Sequence, residues 1–163
     1  MLTDDESDPD WADIAARLAP ARNYWLCTTM TDDAPHAAPV WGVVVDDQFY
    51  VYSERRTVKA RNIDRDPRVV VHLESAEHVL IIHGRMIDVG RPSDVPNVVH
   101  ELSAKYDAPG DDQYLPSADE DFDLLYRLKA ERALVWELSD YDGSQRRWSS
   151  STANSSNEPT SHR

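Results

Sequence analysis

The chain contains little glycine and only one cysteine, and each shortage excludes a class of functional site. Its five glycines lie too far apart to form the Gly-rich loops of dinucleotide-binding or Walker-type nucleotide sites. The single cysteine, Cys27, can form no internal disulfide and no Cys-x-x-Cys zinc site. His78 and His83 are five residues apart on one predicted strand and therefore face opposite sides of the sheet. We expect no metal site and a reducing, cytoplasmic environment.

Positive charge and long apolar segments are also lacking. Seventeen Lys and Arg stand against 30 Asp and Glu, which gives a formal net charge of −13. Such a chain is repelled by the phosphates of nucleic acids. No apolar run approaches the roughly 20 residues that span a bilayer, and the first residues are acidic rather than basic and then apolar. We therefore expect no nucleic-acid partner, no membrane segment and no signal peptide.

What the chain does contain is enough apolar sequence for one folded domain. Hydrophobic residues make up 40% of the 163 residues and are concentrated in blocks such as Val40–Val45 and Val69–Leu73. Before residue 8 the chain is acidic, and after residue 148 it is almost wholly polar. We expect a single domain over residues 8–148, between a disordered N-terminus (residues 1–7) and a disordered tail (residues 149–163).

Runs of β-branched and aromatic residues, separated by turn residues, predict strands in this domain. Because these strands follow one another without regular helical crossovers, they favour an antiparallel arrangement. The pattern predicts a mainly β (α+β) fold, a six-stranded antiparallel barrel with peripheral helices. The predicted strands are Tyr24–Met30, His36–Val45, Gln48–Ser53, Arg68–Glu74, His78–Val89 and Ala133–Leu138.

Four helices are predicted from apolar periodicity and capping residues. The first has Asp8 as its N-cap and Pro9 at its first position, and the second begins after Thr57 and stops before Pro67. The third and fourth cover Asp94–Tyr106 and Ala118–Leu128, the last of them opened by a capping box at Ser117 and Glu120.

The second helix lies in the only basic stretch of this acidic chain. Six of the 17 basic residues fall between Arg55 and Arg68, against two acids. Free backbone N–H groups, the Thr57 hydroxyl and neighbouring cations at a helix start favour phosphate binding. The same charges also fit a solvated basic face that balances the acidic remainder.

A proline and a glycine interrupt the β-rich segment Ala38–Gly42. Proline cannot donate to a strand ladder, and glycine lets another group approach the backbone closely. A flat ring could lie against this strand, but Pro39 can equally mark a sheet edge and Gly42 a bulge at a barrel corner.

Four motifs, taken together and in order, resemble the split β-barrel flavin and deazaflavin oxidoreductases, the superfamily of pyridoxamine 5′-phosphate oxidase. The match extends over Asn23–Val89, and Ala133–Trp136 with Arg146–Trp148 is similar to the family's closing strand and terminal Arg-Trp. The resemblance implies a homodimer of split barrels of the FMN-binding type, with a flavin-type cofactor in a groove at the dimer interface. The four motifs are Pro35–Trp41, Phe49–Ser53, Thr57–Ile63 and Asp66–Val69.

The resemblance also implies which residues bind the cofactor. Those at the phosphate or ribityl chain are Ser53, Thr57, Lys59, Ala60, Arg61 and Asn62, with Lys59 foremost. Those at the ring system are Pro39, Val40, Trp41 and Gly42, with His78 and Val79 on the strand that reaches toward the ring. Arg147 and Trp148 are implied to come from the partner subunit.

The cofactor implied is coenzyme F420, because the Pro-x-Trp, Lys-Ala-Arg-Asn and Asp-Pro-Arg-Val elements are most similar to the branch that uses it. Arg55, Arg56 and Arg61 could line an exit for its oligoglutamate tail. The implied reaction is hydride transfer to a small conjugated or quinone-like substrate, with a proton from water, His78 or Tyr52 and no assigned catalytic residue. The alternatives are an FMN-dependent flavoprotein and a non-catalytic cofactor- or tetrapyrrole-binding protein.

Overall fold

The structure, a computed structural model, describes residues 8–116 and 121–151. Its helices are α1 (Trp11–Leu18), α2 (Val58–Arg65), α3 (Pro96–Lys105) and α4 (Tyr141–Ser144). Its strands are β1 (Tyr24–Thr29), β2 (Pro35–Val40), β3 (Gly42–Val45), β4 (Gln48–Ser53), β5 (Arg68–His72), β6 (His78–Asp88), β7 (Leu124–Glu137) and β8 (Arg146–Ser149). Within the described ranges no helix is both long enough and apolar enough to cross a membrane.

All strand pairs are antiparallel and belong to one curled sheet in the order β2-β1-β5-β6-β7-β4-β3. β7 pairs with β6 along one edge, and along its other edge with β4 near its start and β8 near its end. Only Trp41 separates β2 from β3, although these strands stand at opposite ends of the order. The sheet must therefore curl until its ends approach each other, as in a split barrel.

Alternate residues of each strand point into the barrel, and those that do so are mostly apolar. Leu26, Val71 and Ile82 are fully buried there, and α1 and α2 add further apolar side chains such as Ile14 and Ile63. A second buried cluster joins α3 to β3, β4 and β7 on the outside of the sheet. The core thus fixes α2 and α3 on the sheet, and with them the residues at the β2–β3 junction.

The predicted fold class is confirmed, but the sheet has more strands than predicted. The predicted strand His36–Val45 is two strands, since the chain leaves one end of the sheet at Val40 and enters the other at Gly42. The predicted closing strand corresponds only to the last third of β7, and Arg146–Ser149 adds β8. Eight strands are therefore described where the sequence predicted six.

The predicted helix Ala118–Leu128 is wrong in its described part, because Leu124–Leu128 begin β7. Leu124 and Tyr126 face the barrel interior, whereas Leu125 is buried under α3 on the other side. Burial of both faces hides the alternation by which a strand is recognised. The capping residues Ser117 and Glu120 lie outside the described residues.

The other helices form close to where the sequence placed them. α2 begins after its predicted N-cap, Thr57, whose side chain accepts the N–H of Ala60. α1 begins later than predicted, because Asp10 rather than Asp8 caps it and forms a reciprocal capping box with Asp13. Strand structure reaches Ser149, the first residue of the predicted tail. Residues 1–7 and 152–163 lie outside the described residues.

Candidate functional site

The largest described pocket, of about 520 Å³, lies between the β2–β3 junction, the end of β4 and the start of α2. It contains six of the predicted cofactor-binding residues, drawn from three separate segments of the sequence. Its described lining residues are Asn23, Pro39, Val40, Trp41, Tyr52, Ser53, Glu54, Thr57, Lys59, Tyr114 and Phe122. We call this the α2 pocket.

One end of the α2 pocket is formed by the start of helix α2. The carbonyl oxygen of Glu54 accepts the Thr57 N–H at 3.2 Å and the Thr57 hydroxyl at 2.9 Å, which turns the chain sharply into the helix. The Ser53 hydroxyl lies 3.1 Å from that of Thr57. The first N–H groups of the helix, those of Val58 and Lys59, have no acceptor within it. Hydroxyls and free N–H groups together make this end of the pocket suited to an anion.

Lys59 adds a positive charge at the same place. Its ammonium group makes no hydrogen bond or ion pair with any described residue, although the side chain is only partly exposed. Burial lowers the pKa of Lys59, and the nearby carboxylate of Glu54 opposes that shift. An unpaired, partly desolvated cation in a pocket is stabilised by an anionic ligand.

The opposite wall of the pocket is the ring of Trp41, which is held in place by several contacts. It stacks on Tyr106 with ring centres 4.2 Å apart and planes inclined by 4°. Its Nε1 donates to Asn23 Oδ1 at 3.1 Å, and the guanidinium of Arg22 lies 5.1 Å from its ring centre. Arg22 makes two hydrogen bonds to Asp111, at 2.7 and 3.0 Å, and these lower the pKa of that carboxyl. Trp41 therefore presents a fixed flat surface to the pocket.

Tyr52, one of the ionisable residues in the described lining, is not free to act as a proton donor. The Tyr52 hydroxyl donates to the carbonyl oxygen of Tyr114 at 2.7 Å, and burial raises the pKa of Tyr52. Phe122 contacts the Tyr52 ring edge to face, with ring centres 5.1 Å apart. Tyr52 is thus a neutral, engaged phenol that shapes the pocket.

Gly42, predicted at the ring system, lies behind Trp41 and does not line the α2 pocket. A Cβ atom at this position would come within 2.6 Å of the Phe49 ring and 2.7 Å of the Tyr50 carbonyl oxygen. The Gly42 N–H donates to the Tyr106 hydroxyl at 3.0 Å, and its carbonyl accepts from Lys105 Nζ at 2.9 Å. The glycine is required for close packing at the turn from β2 to β3, which places Trp41.

The remaining α2 residues point away from the α2 pocket because of the helical spacing. Ala60 and Arg61 line a separate cavity of about 300 Å³ on the other side of α2. Asn62 is buried in the barrel, where its Nδ2 donates to Thr28 Oγ1 at 3.0 Å. The structure therefore brings Thr57 and Lys59 together but separates them from Asn62.

The residues predicted on β6 and β8 are also remote from the α2 pocket within one chain. His78 is exposed at the start of β6, where its Nδ1 contacts Glu137, and Val79 pairs with Trp136. Arg147 and Trp148 line a third cavity, of about 310 Å³, beside β7 and β8.

Several residues that line or support the site have no local sequence signature. Asn23, Glu54, Tyr114 and Phe122 line the α2 pocket, and Tyr106 supports Trp41 from α3. None of them belongs to a short motif, and the loop that carries Tyr114 is placed only by tertiary contacts. Tyr106 follows the last residue of α3, and nothing in the sequence around it predicts that its ring stacks on Trp41.

A curled antiparallel sheet of this order, with α2 and α3 packed on it, defines a protein of the split-barrel class. The family model described as pyridoxamine 5′-phosphate oxidase matches residues 11–137, and the chain belongs to this family. The family resemblance predicted from the four motifs is thereby confirmed.

Similar solved structures agree on the fold. A conserved hypothetical protein, Rv2991, from Mycobacterium tuberculosis is 23% identical, with a TM-score of 0.65 over 84% of this chain and 90% of its own. A haem-binding protein from Mycobacterium smegmatis is 18% identical (TM-score 0.66, 91% of this chain and 62% of that one). A structure named F420 reductase is 20% identical (TM-score 0.57, 72% and 93%).

At these identities the structural likeness establishes the fold alone. No protein with curated function matches the sequence. Among the described residues, no group of three or more His, Cys, Asp or Glu is arranged to hold a metal ion.

Proposed function

We propose that this protein is an oxidoreductase that binds coenzyme F420 in the α2 pocket. The observation that carries the proposal is the Lys59 ammonium, which has no partner among the described residues, in one pocket with the Ser53 and Thr57 hydroxyls and the fixed ring of Trp41. A flavin-type cofactor has a phosphate and a flat ring, and the pocket offers a complementary group for each. Its volume, about 520 Å³, lies within the range of small-molecule sites.

The chain's own residues bind and orient the cofactor in this proposal. The phosphate accepts from the N–H groups at the start of α2 and from Lys59, while Pro39, Val40 and Trp41 support one face of the ring. The chemistry that such a cofactor supplies is hydride transfer to a small conjugated or quinone-like substrate. Because Tyr52 is already engaged by the Tyr114 carbonyl, the accompanying proton comes from water or from a residue of the partner subunit.

FMN is the alternative cofactor, and the pairing of the arginines favours it. Arg55 pairs with Asp88 at 3.1 Å, and Arg56 pairs with Glu54 and Asp121. Of the three arginines expected to line an exit for an oligoglutamate tail, only Arg61 has no ion-pair partner among the described residues. FMN has a phosphate but no such tail, so it needs the start of α2 and not the arginines.

A tetrapyrrole-binding protein without catalytic turnover is a further alternative, suggested by the name of the haem-binding structural relative. Haem iron is usually bound by His, Cys, Met or Tyr. The described lining of the α2 pocket contains no His, Cys or Met. Of its two tyrosines, Tyr52 donates its hydroxyl to the Tyr114 carbonyl oxygen, which leaves the exposed Tyr114 as the one candidate iron ligand in the described lining. The pocket therefore fits a phosphate-bearing cofactor better than haem.

The proposal includes a homodimer whose interface is the outer face of the sheet. On this face one row of cross-strand neighbours runs through Pro39, Trp25, His72, Ile81, Leu134 and Arg147. The row is mostly apolar at its centre, and it ends at the α2 pocket on one side and at the cavity of Arg147 on the other. A two-fold axis parallel to the strands would bring Arg147 of each copy against Pro39 of the other. This arrangement would place the predicted Arg147 and Trp148 next to the partner's cofactor.

The proposal is tested by fluorescence titration of the purified protein with coenzyme F420 and with FMN, side by side. Saturable binding of the deazaflavin with little binding of FMN supports the reductase and justifies a substrate screen with the reduced cofactor. Preference for FMN supports the alternative instead. Binding of neither cofactor contradicts the proposed function.

The same titration of Lys59→Ala tests the phosphate site. Loss of a charge-assisted contact of about 1.5–3 kcal/mol should raise Kd by roughly 10-fold to 100-fold. Lys129→Ala is the matched control, because it removes the same charge from an exposed position on β7. An unchanged Kd in Lys59→Ala would show that the phosphate lies elsewhere.

A further inference from the structure

The cavity on the other side of α2 lies between that helix, the end of β6 and the start of β7. Its volume of about 300 Å³ is in the range of small-molecule sites. Its floor consists of apolar side chains of the barrel core, Ile63, Met86 and Leu124, each at most 4% exposed. These side chains face the inside of the barrel, so the cavity lies on the opposite side of the sheet from the proposed dimer interface. We call it the β6–β7 cavity.

The hydroxyl of Tyr126 opens into the β6–β7 cavity. Tyr126 lines the cavity and is only 3% exposed, and its hydroxyl makes no hydrogen bond with any described residue. Because every fully buried polar side-chain atom of the described residues has a hydrogen-bond partner, this hydroxyl must reach the space of the cavity. Burial raises the pKa of Tyr126 to about 12, and the charge of Asp88, another lining residue, contributes. A buried hydroxyl of this kind requires a partner, which a molecule in the cavity can supply.

Charges of both signs surround the opening of the β6–β7 cavity. Arg55 and Asp88 pair with each other at 3.1 Å. Arg61 and Asp64 also line the cavity, and neither has a hydrogen-bond or ion-pair partner among the described residues. They are three residues apart on α2, a spacing that places both on one face of the helix. The opening therefore presents one unpaired cation beside one unpaired anion.

This combination of charges selects the class of ligand. A simple carboxylate or phosphate would be attracted by Arg61 but repelled by Asp64, and a simple ammonium would meet the reverse. An oligoglutamate tail would likewise bring carboxylates against Asp64. A zwitterion satisfies both residues, and an apolar group attached to it would be buried against the floor of the cavity.

We propose that the β6–β7 cavity binds a small α-amino acid with an apolar side chain. Arg61 binds its carboxylate and Asp64 binds its ammonium group. The Tyr126 hydroxyl forms a hydrogen bond with the same head group, and Met86 and Leu124 contact the side chain. The cavity is formed by one chain and needs no cofactor, so the proposal holds or fails independently of the proposed oxidoreductase function.

Leucine and two analogues that each lack one charge are suitable probes. 4-Methylpentanoate has the carboxylate without the ammonium, 3-methylbutylamine has the ammonium without the carboxylate, and all three share the same branched apolar chain. Each is titrated without cofactor into the full chain labelled with carbon-13 at its methionine methyl groups, and the NMR signal of Met86 is followed. The expected result is a saturable shift with leucine, at a Kd at least roughly tenfold below those of both analogues. The signal of Met30, between β1 and β2, should move little.

Variants assign each charge to its residue. Arg61→Gln and Asp64→Asn should each raise the leucine Kd by about tenfold, as expected for loss of a charge-assisted hydrogen bond. Arg61→Gln should also abolish the preference for leucine over 3-methylbutylamine, and Asp64→Asn the preference for leucine over 4-methylpentanoate. Tyr126→Phe keeps the ring, removes only the hydroxyl, and should raise the leucine Kd several-fold.

Arg17→Gln is the matched control, because it removes the same charge from α1, where Arg17 contacts Glu137 at the far end of β7. It should change the leucine Kd by less than about twofold. Equal affinity for the three probes, or tighter binding of 4-methylpentanoate than of leucine, would overturn the proposal. Absence of a Met86 shift with leucine, or equal effects of Arg61→Gln and Arg17→Gln, would overturn it as well.

Discussion

Two lysines of this protein are partly buried, and they differ in what surrounds the ammonium group. Lys105 Nζ donates to the Tyr24 hydroxyl at 2.7 Å and to the Gly42 carbonyl at 2.9 Å, and it lies over the Tyr24 and Tyr106 rings. Lys59 has no such partners among the described residues. Lys105 therefore stabilises the turn behind Trp41, whereas Lys59 is available to a ligand. In the sequence, only the family resemblance of the Thr57–Ile63 motif distinguishes Lys59 from Lys105.

The buried position of Lys105 predicts a pH dependence of stability. Burial lowers the pKa of Lys105 to about 8, below its unfolded value of about 10.5. The unfolded chain then binds the proton more tightly, so the free energy of unfolding rises as pH increases from about 8 toward 10. Because the contacts with Tyr24 and Gly42 favour the charged form and offset part of the burial effect, we expect a rise of about 1–2 kcal/mol.

Urea unfolding of the wild type and of Lys105→Met at several pH values between 7 and 10 measures this effect. Other groups titrate equally in both proteins, so their difference isolates Lys105. Tyr24 remains protonated over this range, because burial raises its pKa. A difference between the two proteins that stays constant with pH would contradict the prediction.

At the scale of elements, Thr57 caps the start of α2, and the proposed function gives it a second role in cofactor binding. Its hydroxyl accepts the Ala60 N–H and donates to the Glu54 carbonyl oxygen. Thr57→Ala removes the N-cap and should lower the free energy of unfolding by about 1 kcal/mol. It should also weaken cofactor binding several-fold.

Thr57→Ser is the matched variant, because it keeps the hydroxyl and should retain both stability and affinity. Chemical unfolding and fluorescence titration on the same samples separate the two effects. If Thr57→Ala lowered stability and left the cofactor Kd unchanged, the hydroxyl would be a cap only.

The sequence predicted elements well where turn or capping residues mark their ends, and poorly where such residues are lacking and both faces are buried. Gln48–Ser53 was predicted to the residue, and α2 was predicted from Thr57 and Pro67. The start of β7 was misread because α3 covers its outer face and buries Leu125. The residues of the candidate site were likewise predicted only where a local sequence motif marks them. The motif residues Thr57, Lys59 and Trp41 were found, but the residues of the α3 region that support them come from distant sequence and have no local signature.

For the whole molecule, the outer face of the sheet links the α2 pocket to the cavity beside β7 and β8. Its central row contains Trp25, His72, Ile81 and Leu134, all only partly buried in a single chain. A contiguous apolar surface of this kind is typical of an interface between copies of a chain. A convex sheet packed against a second copy touches at its centre and leaves grooves at both edges, where the α2 pocket lies.

Ile81→Asp should therefore convert a homodimer into a monomer, since it places a carboxylate at the centre of the apolar row. Sedimentation equilibrium measures the change, and far-UV circular dichroism should show that the barrel stays folded. Cofactor affinity should fall together with dimerisation if Arg147 of the partner subunit completes the pocket. Leu138→Asp is the matched control, because Leu138 is 57% exposed and lies outside this row. If Ile81→Asp sedimented as a dimer, or the wild type as a monomer, the outer face would not be the proposed interface.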